Sequence, residues 1–77
     1  MNYSIRWDSK AHKNLGKIEQ ELQQIIVEKL EDAAQDPFCF LEHFEGRNLY
    51  KLRLGEYRAL IEIDFIQKIL IIRFLDH

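Results

Sequence analysis

The chain has 77 residues, 47% hydrophobic and 31% charged, with a net charge of −2; a domain this small buries only about 60% of the surface its unfolded chain exposes, so it holds one simple core. That balance excludes the disordered class, a lone Cys39 excludes an intrachain disulfide, and the longest apolar run, Ile69 to Ile72, is far too short to span a bilayer. With no apolar signal region in Met1–Asp8, a cytoplasmic protein without membrane association is expected.

In chain order, Tyr3, Ile5 and Trp7 alternate with Ser4 and Arg6, which is the period of a short strand with its apolar side chains turned inward. Asp8 and Ser9 offer N-cap oxygens to a short helix over about residues 10–15, closed near Gly16. Ile18, Leu22, Ile25, Ile26, Leu30, Ala33 and Ala34 then recur at spacings of three and four until Asp36-Pro37 stops the pattern. This predicts a second helix folded back on the first as a hairpin. Residues 38–46 have no clean period and are expected to form a loop whose phenylalanines plug the junction between helices and sheet.

Residues 48–58 alternate apolar and cationic side chains with a period of two, the pattern of a half-buried strand. Tyr50, Leu52 and Leu54 take one face, Lys51 and Arg53 the other, and Gly55-Glu56 supplies a tight turn. The returning strand puts Tyr57, Ala59, Ile61 and Ile63 on one parity, opposed by Arg58, Leu60, Glu62 and Asp64. After a turn at about residues 65–68, the last strand, 69–75, is apolar on both parities and is expected to be central and covered on both sides for part of its length. Arg73, Leu75 and His77 fall on one of its faces.

Together these elements predict one α+β domain over residues 1–77: an antiparallel sheet of about four strands with an N-terminal helical hairpin packed on one face. The opposite face, carrying Lys51, Arg53, Arg58, Leu60, Glu62 and Arg73, is left open.

No Gly-rich phosphate loop, nucleophile triad or zinc-ligand spacing is present, so neither a metal nor a cofactor is expected. His12, His43 and His77 read individually as surface residues, and Glu62 and Asp64 as ion-pair partners of neighbouring arginines. The cations on the open strand face admit two interpretations. They form a solvated surface, or they bind a polyanion, because arginine presents a rigid fork of donors to phosphate and lysine adds a point charge. If the polyanion is RNA, a 2′-hydroxyl can attack its own adjacent phosphate, given a base and a stabiliser of the charge developing on phosphorus. Arg53, Arg58 and Arg73 suit the second task. Lys51 suits the first, since neighbouring cations disfavour its protonated form.

The run Leu49-Tyr50-Lys51-Leu52-Arg53-Leu54-Gly55-Glu56-Tyr57-Arg58, followed by Ile61-Glu62-Ile63-Asp64 and Leu70-Ile71-Ile72-Arg73-Phe74, resembles the RelE/ParE toxin superfamily, most closely its RelE branch. The likeness covers nearly the whole chain and implies a RelE-like, microbial-ribonuclease-like fold. It further implies the toxin of a type II toxin–antitoxin pair, which enters the ribosomal A site and cleaves mRNA without a metal. Lys51 and Arg53 match the family's basic strand residues, implicated in general base action and phosphate binding, and Arg58 its transition-state arginine. Arg47, Arg73 and His77 would be supporting phosphate contacts, and a RelB-like antitoxin would wrap the domain. The family pattern continues with a His-Arg-x-x-x-Tyr-like tail, whereas this sequence stops at His77, so weakened cleavage is expected if nothing follows. Two alternatives share the fold: a module that only binds antitoxin, and a ParE-like gyrase inhibitor. Glu42-His43-Phe44-Glu45 stands where relatives often carry lysines, which lowers the expected salt-dependent affinity for RNA.

Overall fold

The computed structural model describes residues 2–77. In chain order it contains β1 (Ser4–Trp7), α1 (Ser9–Gly16), α2 (Gln20–Gln35), α3 (Pro37–Phe40), β2 (Glu42–Glu45), β3 (Leu49–Leu54), β4 (Tyr57–Asp64) and β5 (Ile69–Asp76). The strands form one sheet in the order β1-β5-β4-β3-β2. The architecture is the expected α+β one, with two differences in the sheet. It has five strands, and it is mixed, because β1 runs parallel to β5 while all other neighbours are antiparallel.

The fifth strand comes from residues 38–46, which are not a loop. Pro37 starts α3 at a position where its missing N–H costs nothing. Leu41 is buried, and Glu42–Glu45 then pair with β3, Glu42 opposite Lys51 and His43 opposite Tyr50. Every β2 side chain is exposed, so the strand exists through its backbone pairing and leaves no apolar period to detect. Phe38, Phe40 and Phe44 are exposed and do not plug the junction. Phe38 instead stacks on Phe65 and meets Tyr50 edge-on.

The helices cover one sheet face. Ala11 and Leu15 from α1, Ile18 from the connection, and Ile26, Leu30, Ala33 and Ala34 from α2 pack on Leu52, Leu54, Ala59, Ile61, Ile63, Leu70, Ile72 and Leu75. Each fully buried Ile or Leu among them is stabilised by about 1.5–3 kcal/mol relative to exposure. Ile25 departs from the predicted stripe: it sits one residue, about 100° of helix rotation, from Ile26 and is 48% exposed. Backbone bonds from Tyr3 N to Ala34 O and from Asp8 N to Ile72 O, with Asn14 Nδ2 donating to Leu75 O, tie the helices and β1 to the sheet. No helix among the described residues is long and apolar enough to cross a membrane.

A bulge in β5 corrects the predicted faces of its second half. Leu60 pairs with Phe74 but Ile61 pairs with Ile72, which leaves Arg73 as the extra residue. An unpaired residue shifts side-chain parity by one. Leu70 and Ile72 therefore face the core, Arg73 and Phe74 are both exposed, and Leu75 returns to the core fully buried instead of sharing a face with Arg73. Nor is β5 covered on both sides. On the face away from the helices, Ile69 and Ile71 remain half-buried without an overlying element.

Candidate functional site

The β3–β4 hairpin builds the site from strand alternation and one turn. Leu54 pairs with Tyr57 across the two-residue turn Gly55-Glu56, and Gly55 has φ +70°, as the first central residue of a type II′ turn requires. The tight turn fixes the register, and the register sets Arg53 directly opposite Arg58, with Lys51 opposite Leu60 on the same open face. The end of β5 brings His77 against Tyr57, their ring centroids 4.4 Å apart and their planes tilted by 32°. Lys51, Arg53, Gly55, Glu56, Tyr57, Arg58 and His77 line one recess of ≈ 240 Å³.

Four of the six residues singled out from the sequence, Lys51, Arg53, Arg58 and His77, thus converge on one recess. Arg47 and Arg73 do not. Arg47 lies in the β2–β3 turn, at the end of β3 opposite the Gly55-Glu56 turn. Arg73, at the bulge, spends its guanidinium on two carboxylates: its Nε donates to Glu62 Oε1 at 2.9 Å, its Nη2 lies 2.8 Å from the same oxygen, and its Nη1 is 3.4 Å from Asp8 Oδ2. The hydrogen bond to Glu62, with the charges of Glu62 and Asp8 assisting and slight burial opposing, holds the Arg73 guanidinium above its ordinary pKa. Asp8, at the N-cap of α1, makes no side-chain cap bond. Asp64, expected as an ion-pair partner, instead accepts hydrogen bonds from the Ile66 and Gln67 amides and shapes the β4–β5 turn.

Tyr57 follows its parity and also lines the recess. It shares the core-facing side of β4 with Ala59 and Ile61 and packs half-buried against the core, while at the hairpin end it also forms part of the recess wall. Its place beside Gly55-Glu56 is the signal that could have found it.

Electrostatically, the recess is cationic but not uniformly so. Lys51 Nζ lies 3.5 Å from Glu42 Oε1 on the neighbouring strand, an opposite charge that the expected cluster of cations did not include. Arg53 and Arg58 have no ion-pair partner among the described residues, which leaves two guanidinium forks available side by side. Such forks match the spacing of phosphate oxygens. Among the described residues, no group of three or more His, Cys, Asp or Glu side chains gathers in metal-binding geometry.

The mixed five-stranded sheet with helices on one face is a fold shared with solved RelE toxins. The chain has a TM-score of 0.89 to a chain of the toxin–antitoxin complex RelBE2 of Mycobacterium tuberculosis, with 24% identity over 100% of this chain and 92% of that one. It scores 0.86 against the archaeal RelE–RelB complex of Pyrococcus horikoshii, with 23% identity and coverage of 99% and 94%. Against the isolated Escherichia coli RelE toxin the score is 0.83, with 17% identity and coverage of 95% and 81%. At these identities the likeness establishes the fold. The family follows from the sequence: the model of the ParE toxin of type II toxin–antitoxin systems matches residues 5–77, and the chain belongs to that family. No curated protein sequence matches the chain.

Proposed function

We propose that this toxin is a ribosome-dependent mRNA endoribonuclease that works in the cytoplasm as a single domain over residues 1–77 and is held inactive by a RelB-like antitoxin. The observation that carries this proposal is the convergence of Lys51, Arg53 and Arg58 with His77 and Tyr57 on one open recess. In the reaction, a base removes the proton of a ribose 2′-hydroxyl, the freed oxygen bonds to the adjacent phosphorus, and the bond from phosphorus to the 5′-oxygen breaks as that oxygen takes up a proton. Arg53 and Arg58, directly opposed and without carboxylate partners, stabilise the extra charge on the phosphate oxygens. Lys51, which lines the same recess beside Arg53, is the group placed to take the 2′-hydroxyl proton, a task that requires its neutral amine. The His77 imidazole at the recess wall is a group of the type that protonates a leaving oxygen.

The antitoxin partner is supported by the relatives of the same fold that were solved as RelB complexes. A flexible segment with acidic and amphipathic residues would cover the recess and the helices. One specific observation favours a second reading: the matching family model is that of ParE, which suits a gyrase inhibitor sharing the fold without the ribonuclease chemistry.

The deciding experiment compares wild type with Arg58→Ala on translating ribosomes, reading mRNA cleavage by primer extension, and in parallel assays gyrase supercoiling. The ribonuclease reading expects cleavage by wild type and a loss of at least about a hundredfold in the variant. Equal, robust cleavage by both would remove Arg58 from the mechanism, and supercoiling inhibition without cleavage would establish the second reading.

A further inference from the structure

We propose that Phe74 is a stacking platform for one nucleobase of a single-stranded nucleic acid whose phosphates lie on Lys51, Arg53 and Arg58. This rests on the reading of the recess as a nucleic-acid site and adds a base subsite beside the phosphate subsite. The bulge at Arg73 creates it. Without the extra residue, Phe74 would point into the core and Leu75 out. With it, Phe74 stands on the cationic face, 39% exposed, while Leu75 is fully buried. Bulges that re-aim a side chain in this way recur beside functional sites.

The register places the ring in a defined row. Lys51 pairs with Leu60, and Leu60 pairs with Phe74, so a cation, an aliphatic side chain and an aromatic ring follow one another across β3, β4 and β5. Two strand spacings of about 4.8 Å separate the first from the last. That separation is within the reach of one nucleotide, from its phosphate to its base.

The charges around Phe74 favour a base over a phosphate there. Asp76, opposite Arg58, borders the ring on one side, and the Arg73–Glu62 pair borders it on the other. Phosphate is repelled by the first and finds the cation of the second already engaged, whereas an uncharged base meets an open ring. The other exposed phenylalanines lack this setting. Phe38, Phe40 and Phe44 stand in the stretch that carries Asp36, Glu42 and Glu45 without a Lys or Arg, and the ring of Phe65 is already stacked on Phe38. Stacking on an aromatic ring tolerates any base, because each has a π-face.

The test uses fluorescence anisotropy with a short, 2′-deoxy-substituted, non-cleavable RNA oligonucleotide and an abasic strand of the same length. Phe74→Ala is expected to weaken the base-bearing strand about tenfold and leave the abasic strand unchanged, while Phe74→Tyr retains binding. The double variant Arg53→Ala/Arg58→Ala is expected to weaken both strands and flatten the salt dependence. If Phe74→Ala binds the base-bearing strand as tightly as wild type while the arginine effect persists, the base subsite is overturned and the phosphate site stands. If wild type binds neither strand, the reading of the recess fails and this inference with it. A change in sedimentation mass on Phe74→Ala with unaltered oligonucleotide binding would assign the ring to a contact with a second copy, also overturning the proposal.

Discussion

Arg53 and Arg58 are directly opposed across the β3–β4 hairpin, and neither has an ion-pair partner among the described residues. Like charges facing each other on adjacent strands destabilise a sheet. Because Arg58 also faces Asp76 on β5 whereas Arg53 has no carboxylate opposite it, Arg53→Ala is expected to stabilise the fold by about 0.5 kcal/mol while removing polyanion binding. Urea denaturation together with oligonucleotide titration checks it, and a destabilised variant would show that the pair is not under strain.

The Lys51–Glu42 pair is half-exposed, so it contributes little to stability, on the order of 0–1 kcal/mol. Its effect on the recess is expected to be larger. Glu42→Gln should raise the affinity for a single-stranded oligonucleotide about threefold at low salt, with the gain fading as salt screens the charges. Titrations at two ionic strengths measure this, and an unchanged affinity would mean that Glu42 does not compete with phosphate for Lys51.

Arg73 holds the bulge to β4 and to the start of α1 through Glu62 and Asp8. These pairs are exposed, so Arg73→Ala is expected to cost about 1 kcal/mol of stability, less at high salt. Because Arg73 lies outside the recess, oligonucleotide affinity is expected to change less than twofold, unlike Arg53→Ala. A loss equal to that of Arg53→Ala would restore Arg73 as a phosphate contact.

Leu75→Ala is expected to cost about 2–5 kcal/mol, as a fully buried leucine does. Leu60→Ala, on the half-covered open face, should cost about 1 kcal/mol or less. Comparing the two by chemical denaturation tests the bulge itself, since unbroken alternation from Leu70 would put Leu75 outside.

Much of the fold was legible because its cause is local. The spacing of Ile26, Leu30, Ala33 and Ala34 makes a helix stripe, and the alternation around Lys51 and Arg53 makes a half-buried strand, each within a few residues. The turn at Gly55-Glu56 was equally local, so its consequence, Arg58 returning beside Arg53, could be anticipated. β2 was not legible: with every side chain exposed, only hydrogen bonding to β3 defines it.

The sequence by itself therefore determined β1, α1, α2, β3, β4 and β5 as elements, the inner faces of β3 and β4, and a cationic outer face bearing Lys51, Arg53 and Arg58. The tertiary structure decided what depends on partners distant along the chain: β1 beside β5, Glu42 against Lys51, and His77 against Tyr57. It also decided the parity of β5, because a bulge arises where two strands must match registers, and pairing between strands is invisible to the period of either one. That one extra residue puts Phe74 on the cationic face and Leu75 in the core.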